Sequence, residues 1–296
     1  MLIPLPDDSQ PDARSNPPLV IAHRGASGLA PENTMAAFRL AVGLGADGVE
    51  LDTQLSADGV PVVIHDARVN RTTNGRGVVS GLTLDHLRNL DAGTWFERRL
   101  SRRPRVRTAA RRFSSSFTDQ SVPTLEEVLA LLDPAGLRRI YVELKGNPEN
   151  KHELLDAILL LVGRGSLRDT VTLLSFDHAI VRRAKEIGGD VRTAATFPAR
   201  GRRLISISSL IRSAEHARVD EVAVHYGLAT RRTVNALHER GFSVSVWTVN
   251  SKLAMRRLVA CGVDSIMTNF PNRLSEVLKT EARGPGALRG RESSFR

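Results

Sequence analysis

The chain has 296 residues, 41% apolar and 25% charged, near the globular norm, so most of it should fold as one barrel-sized domain or two ordinary ones. Its formal charge is +10, but Arg98 to Arg112 holds eight arginines and no acid. Without that segment the net charge is about +2, so the basicity is local and does not mark the whole fold as a nucleic-acid binder. Cys261 is the single cysteine, which excludes an internal disulfide and a cysteine-ligated metal and fits a reducing compartment.

The segment Met1 to Pro18 contains five prolines, three aspartates and one arginine, without the basic start and apolar run of a signal peptide. It reads as a disordered tail over 1–18. Gly284 to Arg296 is rich in Gly, Arg and Ser, and 281–296 reads as a second disordered tail. The longest strongly apolar run, Ala157 to Val162, is far too short to span a bilayer, so the expectation is a cytoplasmic protein.

Between the tails, over 19–280, β-rich apolar runs alternate with helical patterns. Strands are expected at 19–23, 48–54, 60–64, 139–145, 170–175, 191–196, 221–225, 243–248 and 264–268. Helices are expected at 33–44, 83–90, 124–133, 151–163, 178–187, 205–216, 230–240 and 251–260. This alternation implies parallel strands with crossover helices. Nine strands is one too many for a (β/α)8 barrel. Only Leu55-Ser56-Ala57-Asp58-Gly59 separates the second and third, and parallel strands need about a dozen residues to cross over, so these two form an antiparallel hairpin. Folded about Ala57-Asp58, it sets His65 opposite Glu50. Eight parallel strands remain. The expected fold is therefore α/β, a (β/α)8 TIM barrel with a β-hairpin and an insertion (67–123, with an Arg-rich loop over 98–112) after the second barrel strand.

Three short strings close or follow strands: His23-Arg24-Gly25, Glu50-Leu51-Asp52 and His65-Asp66. Glu50 and Asp52 are two apart on one strand and share a face. Glu143, on the next parallel strand, has Lys145 as its same-face neighbour. Either these acids pair with Arg24 and Lys145 as a structural network, or they form an all-oxygen site for Mg²⁺ or Ca²⁺. His23 and His65 flank them as an acid–base pair. Asp66 orients a histidine or caps its loop. Three carboxylates, a divalent cation, Arg24 and Lys145 together leave one positive charge, which a phosphodiester anion neutralises.

With His-Arg-Gly (23–25), Pro-Glu-Asn-Thr (31–34), Glu-x-Asp (50–52), His-Asp (65–66), Glu-x-Lys (143–145) and Trp-Thr-Val-Asn (247–250), the chain resembles the glycerophosphodiester phosphodiesterase family from about Val20 to Leu278. The resemblance implies a TIM-barrel hydrolase that makes sn-glycerol 3-phosphate and an alcohol from a small-molecule glycerophosphodiester. It implies metal at Glu50, Asp52 and Glu143, catalytic His23 and His65, Arg24 and Lys145 on the phosphate, Glu32 and Asn33 in the polar rim, and Trp247 against glycerol or the head group. By analogy with related phospholipases, His23 is the base and His65 the acid. Two features depart from the family pattern. Asn269, in Thr268-Asn269-Phe270-Pro271, stands where the family usually has Asp, and the Arg-rich stretch is unusually basic.

The stretch 98–112 is a solvated loop, a peripheral contact with anionic membrane, or a nucleic-acid contact that Pro104 and the lack of aromatics disfavour. The activity could be lysophospholipase-D-like on lipid substrates, or the barrel could be a non-catalytic module for anionic ligands. Gly43-Leu44-Gly45-Ala46-Asp47-Gly48 fits G-x-G-x-x-G, but it ends a helix and leads into a strand, the reverse of a dinucleotide site. His178, His216, His225 and His238 have no matching constellation and read as structural.

Overall fold

The computed structural model describes residues 16–282 except 115, 148, 164–166 and 200–204. Most of both expected tails lies outside the described residues. The described strands are β1 (Leu19–His23), β2 (Gly48–Leu55), β3 (Pro61–Val63), β4 (Arg139–Leu144), β5 (Val171–Ser175), β6 (Arg192–Phe197), β7 (Glu221–His225), β8 (Ser243–Trp247) and β9 (Ser265–Thr268). Helices α1 (Met35–Gly43), α2 (Leu84–Arg88), α3 (Thr94–Ser101), α4 (Pro104–Ala110), α5 (Leu125–Leu132) and α6 (Lys151–Val162) occupy the first half. The second half adds α7 (Leu167–Thr170), α8 (His178–Ile187), α9 (Ile207–Ala217), α10 (Arg231–His238), α11 (Lys252–Ala260) and α12 (Pro271–Ala282).

Every strand but β3 pairs in parallel with its neighbours, and β1 pairs with both β2 and β9, which closes an eight-stranded TIM barrel. The two-residue period of the strands sorts their side chains. Val49 and Leu51, Ile140 and Val142, and Val244 and Val246 face the helices and form the main apolar core. Burying one such side chain stabilises by about 1.5–3 kcal/mol. The alternate residues turn into the barrel, where Ile21, Tyr141, Leu174, Ala194 and Met267 pack together. Glu50, Asp52 and Glu143 belong to this inner set and are buried.

The hairpin forms, with its register one residue from expectation. Thr53 pairs with Val63 and Leu55 with Pro61, so the axis passes through Asp58 and not between Ala57 and Asp58. The cause is a three-residue loop. Gly59 takes the left-handed φ of +78° that such loops require after their first turn. Regular pairing ends at Ile64, whose N–H donates to Asp52 O (3.0 Å), and His65 turns away from the ladder.

The Arg-rich stretch expected as a loop folds instead as α3 and α4. Arginine is a good helix former, Pro104 stands at the start of α4, and Phe96, Leu100 and Ala110 give the pair an apolar side. That side packs with Ala30, Ala37 and Phe117. A second cluster seats the rest of the insertion on the hairpin through Val62, Ile64, Val69, Val79 and Leu87. Helix α12 was not among the expected helices, and its last two residues enter the expected tail. It buries Leu274 and Val277. No described helix is long and apolar enough to cross a membrane.

Candidate active site

At the C-terminal ends of the strands, His23, Arg24, Glu50, His65, Glu143, Lys145 and Trp247 line one cavity of about 110 Å³. A larger groove, about 780 Å³, opens at the strand starts between Arg138, His238 and Asp264, away from these groups.

The turn after β1 is sharp. Arg24 and Gly25 both have left-handed φ, +56° and +73°. A Cβ on Gly25 would lie 2.6 Å from the Ala37 carbonyl carbon, so the position needs glycine on both counts. This turn aims the Arg24 N–H at Glu50 Oε2 (3.0 Å) and the guanidinium at two acids. Nη1 donates to Glu32 Oε1 (2.7 Å), and Nε lies 3.0 Å from Asp52 Oδ2. Asn33, also left-handed at +57°, donates from Nδ2 to Asp52 Oδ2 (2.8 Å). Non-glycine residues rarely hold this conformation, and such strain concentrates at functional sites.

Ligand atoms of Glu50, Asp52 and Glu143 lie within 4.8 Å of one another. Lys145 Nζ is 2.8 Å from Glu143 Oε1 and 3.4 Å from Asp52 Oδ1. Glu50 Oε1 is buried with no hydrogen-bond partner, and Asp52 Oδ1 and Glu143 Oε1 have only Lys145 Nζ beside them. Buried carboxylate oxygens normally find donors. Three buried carboxylates this close together, served by one ammonium, fit a hard divalent cation. The electrostatics agree. Burial and the neighbouring carboxylates Asp52 and Glu143 push the Glu50 carboxyl well up. Burial pushes Glu143 up to about 7 against the pull of Lys145. Burial would also raise Asp52, but Arg24 and Lys145 outweigh it and hold Asp52 well below the usual carboxylate range.

The histidines have different partners. His23 Nδ1 lies 2.8 Å from Asn269 Oδ1, and its Nε2 faces Glu50 Oε2 at 3.8 Å. An amide oxygen only accepts, so Nδ1 carries the proton and Nε2 the lone pair. Burial, then the charge of Arg24, lowers His23 to about 4. His65 is more open, and its Nδ1 meets Asp66 Oδ1 at 2.6 Å. Burial also lowers His65, while Asp52 and Asp66 pull it upward. Buried Gln54 steadies this loop, its Nε2 donating to His65 O (3.1 Å) and Asp66 O (2.5 Å).

A family model for the glycerophosphoryl diester phosphodiesterase family matches residues 23–273. The chain belongs to that family. Among its fellow members, a glycerophosphodiester phosphodiesterase of Caldanaerobacter subterraneus is 31% identical over 88% of this chain and 98% of its own. One of Bacillus subtilis is 30% identical over 88% and 86%. The solved phosphodiesterase of Oleispira antarctica, in complex with the product sn-glycerol-3-phosphate, is 27% identical, with a TM-score of 0.76 over 89% of this chain and 97% of its own. These matches favour neither a lipid substrate nor a non-catalytic barrel.

Several residues of this candidate site stand outside the expected set. Asn269, read above as a departure, is the partner of His23, and Asn250 Oδ1 accepts from the Asn269 N–H (3.0 Å). Arg71 reaches Asp66 and Glu32 from an irregular turn. Phe176 and His225 stand edge-on to Trp247, with centroids at 5.4 and 5.6 Å, and Tyr226 stacks on His225. His225, read as structural, thus stands beside Trp247. The remaining expected site residues, Glu32, Asn33, Arg24 and Lys145, gather around the same carboxylates.

Proposed function

We propose that this phosphodiesterase hydrolyses glycerophosphodiesters to sn-glycerol 3-phosphate and an alcohol by metal-dependent, two-histidine acid–base catalysis. The observation that carries the reading is the convergence of two differently partnered histidines on three buried, closely grouped carboxylates. Glu50, Asp52 and Glu143 would hold the metal. A Mg²⁺ or Ca²⁺ there would supply Lewis-acid stabilisation of charge on the phosphoryl oxygens. Arg24 and Lys145 bind the non-bridging oxygens, Glu32 and Asn33 keep Arg24 and Asp52 in place, and Trp247 gives glycerol or the head group a flat apolar wall.

His23, neutral and with its Nε2 lone pair turned into the cavity, accepts the proton of the attacking oxygen. A P–O bond forms to that oxygen. The P–O bond to the alcohol breaks, and the departing oxygen takes a proton from His65. Asn269 offers His23 a neutral dipole, whereas Asp66 offers His65 a carboxylate that stabilises its protonated ring. This difference supports His23 as base and His65 as acid. Assay of a glycerophosphodiester panel with Mg²⁺ and with Ca²⁺ tests the reading. Release of sn-glycerol 3-phosphate is expected, and no turnover on any member would refute it.

We also read α3–α4 as a peripheral contact for anionic membrane. Arg102, Arg105, Arg107 and Arg112 are exposed and form no ion pair among the described residues, and Phe113 is exposed beside them. The triple variant R102E/R105E/R107E is expected to lose sedimentation with anionic vesicles while keeping its turnover of soluble diesters. Equal sedimentation of wild type and variant would remove this role, as would wild-type binding that ignores salt.

A further inference from the structure

One residue beside the two histidines has no task in the mechanism above. Arg71 ends the short 3-10 turn Val69–Arg71 of the insertion. Its guanidinium forks onto two carboxylates. Nε and Nη2 donate to Asp66 Oδ2 (2.6 Å) and Oδ1 (3.1 Å), while Nη1 and Nη2 donate to Glu32 Oε2 (2.9 Å) and Oε1 (2.8 Å). Each carboxylate already holds a site group. Asp66 Oδ1 is on His65 Nδ1 (2.6 Å), and Glu32 Oε1 accepts from Arg24 Nη1 (2.7 Å).

We propose that Arg71 is a positioning residue that ties the His65 imidazole and the Arg24 guanidinium into one frame through Asp66 and Glu32. The proposal rests on the two-histidine reading, in which His65 gives the proton and Arg24 holds the phosphate. Without Arg71, the two acids would repel each other, and Asp66 could rotate away from His65. A planar guanidinium can satisfy both carboxylates at once, which a lysine ammonium, a point charge, cannot. Arg71 is no core filler, since 44% of its side chain is exposed, but Glu32 is 10% exposed and the paired forks form a network, so the tie can add to stability as well as to alignment. The Arg71 hydrogen bonds are also the largest influence holding the Asp66 carboxyl at about 2, which keeps it ionised beside His65. The tie gives the insertion a role at the barrel mouth, because the link between a loop acid and a barrel-turn arginine is supplied from outside the barrel.

The test uses the full chain as R71Q and R71K, with thermal melts to establish that both fold. In R71Q, kcat for a glycerophosphodiester is expected to fall about 10- to 100-fold, the scale on which outer supporting partners act. KM is expected to rise as Arg24 loosens. R71K should behave like R71Q, and added guanidinium ion should restore part of the R71Q turnover. Independently of turnover, the Asp66 carboxyl followed by carbon NMR should titrate higher in R71Q, moving toward the ordinary value of about 3.9. Wild-type kcat and KM in R71Q would overturn the proposal. So would full activity in R71K, which would mean that charge alone suffices, or an unmoved Asp66 titration. A wild-type enzyme inactive on every diester counts against the reaction, and the tie is then read from the His65 ring nitrogens by NMR, whose signals should move in R71Q and would stay unchanged if Arg71 did not act through Asp66.

Discussion

Glutamine in place of His23 is expected to lower kcat by about 10²- to 10⁴-fold, and glutamine in place of His65 by a similar factor, because each removes one positioned proton carrier. His23 is mostly buried, and burial with the charge of Arg24 sets its value at about 4, so near pH 7 its Nε2 is an open acceptor. His65 keeps a carboxylate on Nδ1 and is the better holder of a proton. If both act in one transition state, as proposed, the double variant is expected to fall little further than either single. A diester with a nitrophenol leaving group separates the roles. Such a group departs without protonation, so H65Q should recover most of its loss on that substrate and H23Q should not. The opposite pattern would exchange acid and base. Wild-type turnover in both single variants, with divalent metal present, would remove the two-histidine mechanism.

Chelation is expected to abolish turnover, and Mg²⁺ or Ca²⁺ to restore it. Burial and mutual repulsion, which disfavour three charges together, raise Glu50 and Glu143. A divalent cation removes that repulsion, so binding stabilises the folded chain. At a metal concentration one hundred times Kd the gain is about 2.7 kcal/mol. That corresponds to a rise in melting temperature on the order of 5 °C for a domain of this size. D52N should lose both the thermal gain and turnover, since Asp52 lies between the other two acids and both cations. A chelated protein with full turnover, or one whose melting point ignores both metals, would rule out the metal reading.

Much of the site could be read before folding. Glu50 and Asp52 share a face because a strand repeats every two residues, and Glu143 stands directly beside Asp52 in the β2–β4 register. The hairpin was legible from its loop length, but its register was not. Gly59 in the left-handed region makes the loop three residues long, an outcome set by backbone geometry. Arg98 to Arg112 misled because its charge masked the apolar positions Phe96, Leu100 and Ala110, which seat the helices. Asn269 reads as a lost carboxylate until the turn after β9 brings its amide to His23 across 246 positions.

The sequence by itself determined the alternation of strand and helix, the count of eight parallel strands and the inward face of the acids. Each of these follows from local period or from the length of one connection. Only the tertiary structure decided which groups share a wall. Closure of β1 onto both β2 and β9 places Asn269 behind His23, and the docked insertion brings Arg71 between Asp66 and Glu32. Contacts of that kind join segments with no common period, and their energy appears only once the apolar core has fixed the distance between them.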